Sequence, residues 1–175
     1  MRGKVIWITG LSGSGKTTLA NEVGAEIRKL KVNPIILDGD ILRAVLALED
    51  ADHFSKEQRL NIALRYSKIC KVLSSQGFVV IIATISMFKE VYHWNRENLP
   101  GYFEVYLKVP MNELKRRDSN KIYSNSDLTR VKNVVGLDIK VDEPVNADLV
   151  FTYDPLKSVS ELAELLIEKA ELNPV

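Results

Sequence analysis

The chain has 175 residues, of which 46% are hydrophobic and 27% are charged, as expected for one ordinary globular domain. Its 24 basic and 23 acidic residues leave a formal net charge of +1, which argues against a nucleic-acid groove or a membrane-surface patch. The single cysteine, the lack of a secretory signal pattern and the lack of an apolar run near the roughly 20 residues needed to cross a bilayer favour the cytoplasm.

Short apolar runs rich in β-branched residues alternate along the chain with helical patterns. In chain order, the predicted strands are Lys4–Thr9, Pro34–Leu37, Phe78–Thr84, Tyr102–Val109 and Asp148–Tyr153. The predicted helices are Lys16–Leu30, Lys56–Gln76, Lys89–Asn98, Met111–Arg117 and Ser158–Leu172. This alternation predicts one α/β domain over residues 1–175, with a five-stranded parallel sheet and helices on both faces. In such sheets, ligands bind beyond the carboxyl ends of the strands.

The segment from Gly10 to Thr17 (GLSGSGKT) fits the phosphate-loop pattern G-x-x-x-x-G-K-(S/T), between a buried strand and a helix. Its glycines let backbone N–H groups turn towards phosphate oxygens, Lys16 can reach the β and γ phosphates, and Thr17 offers a hydroxyl to Mg²⁺. We therefore expect ATP and Mg²⁺ to bind here. The residues expected to hold them are Gly10, Ser12, Gly13, Ser14, Gly15, Lys16, Thr17 and Thr18.

The motif Asp38-Gly39-Asp40 follows the second predicted strand and should face the phosphate loop. A kinase needs a carboxylate there, either to hold Mg²⁺ or to take the proton from the attacking hydroxyl, and the pattern leaves open which aspartate does which. Gly39 is expected to let the backbone turn tightly between the two acids. Arg43 lies one helical turn after Asp40, where an arginine suits an anionic acceptor.

The helix predicted from Lys56 follows Phe54 and carries Arg59 near its amino-terminal end. Arg59 is a candidate anion ligand, whereas Phe54 could either stack on a base or pack against the helix. The polar segment 118–144 shows little periodicity and follows a helix at the ligand edge. It is predicted to be a lid that closes over the transferred phosphate.

Two other classes of protein share the phosphate loop. A regulatory GTPase should carry Asn/Thr-Lys-x-Asp after a strand, and the nearest match, residues 120–123 (NKIY), lacks the aspartate. A kinase for a sugar acid or a similar metabolite fits the first two motifs, but Phe54 with Arg59 favours a nucleotide acceptor. A catalytically inactive binding module is disfavoured by the presence of Lys16, Thr17, Asp40 and Arg43.

To about Tyr153, the chain resembles the adenylylsulfate (APS) kinases. The matching elements are GLSGSGKTT, LDGD with Arg43, Phe54-Ser55 with Arg59, Ile85-Ser86, Arg117-Asp118 with Tyr123, Gly136 and Glu143-Pro144. The resemblance implies a P-loop NTPase fold and a homodimer. It also implies transfer of the γ-phosphoryl group of MgATP to the ribose 3′-hydroxyl of a nucleotide that carries a mixed anhydride.

When the family's site residues are transferred to the matching positions of this chain, Asp40 is expected to be the base. Asp40 and Thr17 are the expected magnesium ligands. The resemblance also places Arg117 near the ATP base. With the motifs above, the candidates for catalysis are Asp40, Lys16 and Asp38, and those for acceptor binding are Arg43, Phe54, Arg59, Ile85, Ser86 and Lys121. Lys121 lies one place after the position of a family lid lysine. We therefore expect Asp40→Asn to cost more activity than Asp38→Asn.

The acceptor pocket departs from the family pattern. The family asparagine after Arg59 falls on Ile62, and Val134 stands where the family has a second stacking aromatic. Losing that aromatic removes on the order of 1–3 kcal/mol of base binding and argues against a strict adenine clamp. A related enzyme type, the cytidine diphosphoramidate kinase of bacterial capsule synthesis, performs the same 3′-phosphorylation on a smaller pyrimidine nucleotide. We expect that acceptor, with adenylylsulfate as the alternative.

Overall fold

The computed structural model describes residues 3–46, 55–117, 135–136 and 139–172. Among these residues, the strands are β1 (Lys4–Thr9), β2 (Ile35–Asp38), β3 (Val79–Ala83), β4 (Tyr102–Lys108) and β5 (Leu149–Thr152). The helices are α1 (Lys16–Lys29), α2 (Gly39–Val45), α3 (Lys56–Ser75), α4 (Lys89–Asn98), α5 (Met111–Arg116) and α6 (Val159–Lys169). Within the described part of the chain, no helix is both long and apolar enough to span a bilayer.

The strands form one sheet in the order β2-β3-β1-β4-β5, and every neighbouring pair is parallel. The central strand β1 is almost wholly buried, as is β3 beside it. Because all strands run in the same direction, their carboxyl ends lie along a single edge of the sheet. The phosphate loop follows β1 and the acidic motif follows β2, so both lie at that edge.

Side chains of β1 alternate between two apolar clusters, one on each face of the sheet. Ile6 and Ile8 pack with residues of α1 and α6, whereas Val5 and Trp7 pack with residues of α3 and α4. The predicted α/β fold, with a five-stranded parallel sheet covered by helices on both faces, is therefore confirmed. The predicted strands and the five predicted helices are all present, with small shifts at their ends.

Helix α2 differs from what the sequence analysis expected. Asp38 is its N-cap: one carboxylate oxygen accepts hydrogen bonds from the backbone N–H of Asp40 at 2.8 Å and of Ile41 at 3.4 Å. Gly39 is therefore the first residue of a helix, and the expectation that it allows a tight turn was wrong. The lack of a side chain at Gly39 instead avoids crowding with the end of β3. An added Cβ would lie 3.0 Å from Thr84 Oγ1 and 3.4 Å from the Ala83 carbonyl oxygen.

Candidate active site

The phosphate loop joins β1 to α1 and contains an unpaired buried hydroxyl. Gly13 and Gly15 have φ values of 75° and 95°, in the left-handed region that favours glycine. The buried Ser14 hydroxyl has no hydrogen-bond partner among the described residues. Buried polar groups are normally paired, so this hydroxyl, together with the positive end of α1, fits an oxygen-rich anion such as a nucleotide phosphate.

Lys16 lies inside this loop. Its ammonium group donates a hydrogen bond to the Leu11 carbonyl at 2.8 Å. Burial lowers the pKa of Lys16 to about 8, against the opposing attraction of the Asp38 carboxylate. The ammonium is therefore still mostly protonated at neutral pH, but it lacks full charge compensation, which suits it to an incoming phosphate.

Asp38 connects the phosphate loop to the end of β2. The Thr17 hydroxyl donates to one Asp38 carboxylate oxygen at 2.7 Å, while the other oxygen caps α2. Hydroxyl and carboxylate oxygens are the hard ligands that Mg²⁺ prefers, and Mg²⁺ commonly binds through one or two carboxylates plus substrate phosphates. The described residues contain no group of three acidic, histidine or cysteine side chains able to hold a metal. The donor set at Thr17 and Asp38 thus fits Mg²⁺ that is shared with a nucleotide.

Asp40, predicted as both base and metal ligand, is the second residue of α2. Its carboxylate forms an ion pair with Arg43 and is largely exposed. The hydroxyl of Tyr66 on α3 donates to the Gly39 carbonyl at 3.2 Å and fixes the start of α2. Arg59 precedes Tyr66 by seven residues and so shares the face of α3 that meets α2. Asp40 and Arg43 are therefore paired at the start of α2, and Arg59 lies two helical turns before Tyr66 on α3.

Ile85 and Ser86, predicted to bind the acceptor, follow β3 at the same edge. Ser86 is buried and has a φ of 29°, an uncommon value for a residue other than glycine. The hydroxyls of Thr84 and Ser86 are hydrogen-bonded at 2.8 Å. Thr84 is also the residue that would crowd a side chain at Gly39. The loop after β3 is thus packed directly against the start of α2.

A cleft of about 220 Å³ opens on the other side of the phosphate loop. The residues that line it include Gly15, Thr18, Arg117, Tyr153, Asp154 and Lys157. The Arg117 guanidinium lies 4.8 Å from the centre of the Tyr153 ring. It also donates to a Glu113 carboxylate oxygen at 2.6 Å. The structure therefore places Arg117 beside the phosphate loop, in a cleft with a flat aromatic and cationic wall that suits a base.

Glu113 and Tyr153 were missed by the sequence analysis. Hydrogen bonds from Arg116 and Arg117 lower the pKa of Glu113 to about 2, so its carboxylate stays ionised and orients both guanidinium groups. The spacing of three and four residues on α5 was a usable signal for this cluster. Tyr153 comes from a distant strand end and carried no comparable signal.

Some of the predicted residues lie outside the described part of the chain. These are Phe54, Lys121 and, within the predicted lid, residues 118–134 and 137–138. The remaining part of the predicted lid contacts the site: at Gly136, whose φ is 90°, an added Cβ would lie 2.8 Å from Leu11 Cδ2 of the phosphate loop. Glu143 forms an ion pair with Lys108 at the end of β4 at 3.0 Å.

Replacing Gly39 by alanine should impair the site more than the fold. The added methyl group would push Thr84, which is held by Ser86, so we expect a strain of about 1–3 kcal/mol, partly offset by the higher helix propensity of alanine. Melting temperature and steady-state kinetics measure the two effects. Ala44→Gly, on the exposed side of α2, is the control for propensity alone. Wild-type kinetics in Gly39→Ala would show that Thr84 can move without consequence.

Comparison with known proteins agrees with this geometry. A family model for adenylylsulphate kinase matches residues 2–152. The chain is 40% identical over 168 residues to a cytidine diphosphoramidate kinase from Campylobacter jejuni, covering 96% of each chain. It is 33% identical over 164 residues to an adenylyl-sulfate kinase from Pseudomonas aeruginosa, covering 93% of this chain and 82% of that relative.

A solved structure is similar over nearly the whole chain as well. The Mycobacterium tuberculosis APS kinase CysC in complex with AMPPNP and APS superposes with a TM-score of 0.87 at 32% identity, covering 97% of this chain and 98% of that one. The family model spans most of the chain, and these relatives align along nearly all of it. The protein therefore belongs to the adenylylsulphate kinase family.

Proposed function

We propose that this protein is a kinase that transfers the γ-phosphoryl group of MgATP to the ribose 3′-hydroxyl of a nucleotide anhydride, with cytidine diphosphoramidate as the acceptor. The observation that carries the proposal is that two clusters of polar and charged side chains lie at the same edge of the sheet. Thr17 is hydrogen-bonded to Asp38, whose carboxylate attracts the Lys16 ammonium in the phosphate loop, and the Asp40–Arg43 ion pair lies at the start of α2. Phosphoryl transfer depends mainly on positioning and on electrostatic stabilisation, and this arrangement supplies both.

The nucleotide is proposed to bind along the phosphate loop, with its base in the cleft beside Arg117. The residues proposed to hold its phosphates are Gly10, Ser12, Gly13, Ser14, Gly15, Lys16, Thr17 and Thr18. Thr17 and Asp38 would hold Mg²⁺, in place of the expected pair Thr17 and Asp40, because these two side chains are already in contact. The ion would supply positive charge beside the phosphates. Lys16 stabilises the negative charge of the transferred group.

Asp40 is proposed to accept the proton of the attacking hydroxyl. Its exposed carboxylate pairs with Arg43, a proposed acceptor ligand, so we assign it to the acceptor side of the acidic motif. Arg43 and Arg59 would bind the anionic part of the acceptor, and Ile85 with Ser86 would border it. Phe54 and Lys121 remain proposed acceptor ligands on the strength of the family resemblance.

The choice of acceptor is supported by the relatives. The Campylobacter jejuni cytidine diphosphoramidate kinase shares 40% identity with this chain, against 33% for the Pseudomonas aeruginosa adenylyl-sulfate kinase. The departures from the family pattern at Ile62 and Val134 also favour the cytidine acceptor. Ile62, on α3, is buried in the apolar cluster between this helix and the sheet. Adenylylsulfate is the second candidate, because the similar Mycobacterium tuberculosis structure contains APS.

An assay of ADP formation with the two acceptors side by side tests the proposal. We expect saturable turnover of cytidine diphosphoramidate, and loss of turnover with its 3′-deoxy analogue, since the attacking hydroxyl is then missing. Selective turnover of adenylylsulfate would replace the first acceptor by the second. Turnover of neither compound, or undiminished turnover of the 3′-deoxy analogue, would reject the proposed reaction.

For assembly and closure, the family resemblance supports a homodimer and a lid over residues 118–144. Light scattering during size-exclusion chromatography would report the mass of the assembly. The close approach of Gly136 to Leu11 supports the lid, because it brings an inner part of this segment against the phosphate loop.

A further inference from the structure

The loop that follows β3 is held at several points. Thr9, the last residue of β1, is fully buried, and its hydroxyl donates to the Ile85 carbonyl at 2.5 Å. The Thr84 backbone N–H donates to the Ile8 carbonyl at 3.1 Å. At the far end of the loop, the Asp142 N–H donates to the Met87 carbonyl at 3.1 Å. The loop therefore cannot move independently of the end of β1.

The conformation that these contacts hold is strained. Ser86 has a φ of 29°, and the Phe88 N–H folds back to the Ser86 carbonyl at 3.0 Å. A residue other than glycine keeps such a backbone only where its surroundings over-determine it, and strain of this kind clusters at functional sites. The Thr84 hydroxyl supplies one constraint through Ser86, and the Thr9 hydroxyl supplies the other through Ile85.

Thr9 is also the residue immediately before Gly10, the first residue of the phosphate loop. One hydroxyl thus connects the start of the loop expected to bind ATP to the loop expected to border the acceptor. The distance between these two loops decides whether the attacking hydroxyl lies in line with the γ-phosphorus. A misplacement of about 1 Å costs on the order of a hundredfold in rate.

We propose that Thr9 is a positioning residue that sets the separation between the phosphate loop and the acceptor loop, Thr84–Met87, by hydrogen-bonding the Ile85 carbonyl. Thr9 touches neither substrate in this role and acts through the backbone of Ile85. The inference rests on the proposed function, since it assumes that a nucleotide acceptor binds beside Ile85 and Ser86. The Tyr92 hydroxyl, which donates to the Asp142 carbonyl at 3.0 Å, lies within hydrogen-bonding reach of Thr9 and encloses the same point from α4.

Two substitutions at Thr9 separate its hydroxyl from its shape. Thr9→Val keeps the volume and removes the hydroxyl, whereas Thr9→Ser keeps the hydroxyl and removes a methyl group. For Thr9→Val we expect kcat/KM for the acceptor to fall by about tenfold or more, with the KM for MgATP nearly unchanged. Thr9→Ser should restore most of the acceptor kinetics. Equal losses in both variants, or a parallel rise in the KM for MgATP, would overturn the proposal.

Hydrogen exchange of the acceptor-loop amides provides a readout that needs no acceptor. In Thr9→Val, the amides of residues 85–88 should exchange faster than in the wild type and in Thr9→Ser, because local opening becomes easier. If Thr9→Val does not fold, Thr84→Val with Thr84→Ser as its control removes the second constraint on the same loop, and the same acceptor-specific loss is expected.

The proposed function and the positioning role of Thr9 are rejected by different results. A wild-type protein that phosphorylates neither nucleotide rejects the proposed function, and the exchange rates alone then decide whether Thr9 holds the loop. A wild-type protein that phosphorylates a nucleotide, with unchanged kinetics and unchanged exchange in Thr9→Val, rejects the positioning role and leaves the function intact.

Discussion

Asp40→Asn is expected to lower kcat by about 10²–10⁴-fold, the contribution typical of a general base, while the KM for MgATP stays nearly unchanged. The Asp40 carboxylate is exposed and pairs with Arg43, whereas the Thr17 hydroxyl donates to Asp38. Asparagine keeps the size of the side chain and removes its proton-accepting charge. Steady-state kinetics with saturating MgATP and varied acceptor measure the effect.

Asp38→Asn is the matched comparison, and we expect a smaller loss of kcat with a different signature. Asparagine can still cap α2, so the fold should persist. Its amide would no longer offer a charged ligand beside Thr17, so the Mg²⁺ concentration needed for half-maximal activity should rise. If Asp38→Asn lowers kcat more than Asp40→Asn at saturating Mg²⁺, the assignment of the two aspartates is reversed.

The strands and the longer helices could be predicted because the sequence patterns that indicate them are local. Apolar β-branched runs and the phosphate-loop pattern reside in single stretches of chain, so the positions of the strands and of the phosphate loop followed from the sequence. Helix α2 was missed because only seven residues form it, and its cap, Asp38, was already interpreted as a functional carboxylate.

The parts of the site that could not be predicted depend on contacts between distant stretches. A side chain at Gly39 would be crowded by Thr84, which is far along the chain. No local pattern around Gly39 distinguishes this crowding from a tight turn. Arg117 was identified through the family resemblance, but its partner Tyr153 meets it only once β4 and β5 are paired. The same reason hides the contact between Thr9 and Ile85, which exists because β1 and β3 are neighbours.

Lys16→Met is expected to reduce kcat/KM for MgATP by about a thousandfold, since it removes the positive charge proposed to stabilise the transferred phosphoryl group. The same substitution should stabilise the folded protein. Burial lowers the pKa of Lys16 to about 8, so its charged form is disfavoured in the folded state. Each pKa unit corresponds to about 1.4 kcal/mol, so removing the charge at pH 7 gains at most about 3 kcal/mol, less the lost hydrogen bond to Leu11.

The pH dependence follows from the direction of this shift. Between pH 8 and the ordinary lysine pKa of 10.5, the unfolded chain binds more protons at Lys16 than the folded one, so the wild type gains stability as the pH rises through this window. The advantage of Lys16→Met should therefore be full below pH 8 and shrink towards pH 10.5. Denaturant unfolding at pH 7, 8.5 and 10 measures it.

Lys29→Met is the control, because Lys29 lies on the same helix, is exposed, and has its pKa raised by a hydrogen bond with Glu26. It should leave activity unchanged and give no gain in stability at pH 7. A Lys16→Met protein that is no more stable than the wild type at pH 7, or whose difference from the wild type does not vary with pH, would mean that water reaches the Lys16 ammonium. Its role would then rest on the charge alone. The expected result would instead show that the phosphate loop gives up folding stability to keep a buried cation at the proposed nucleotide site.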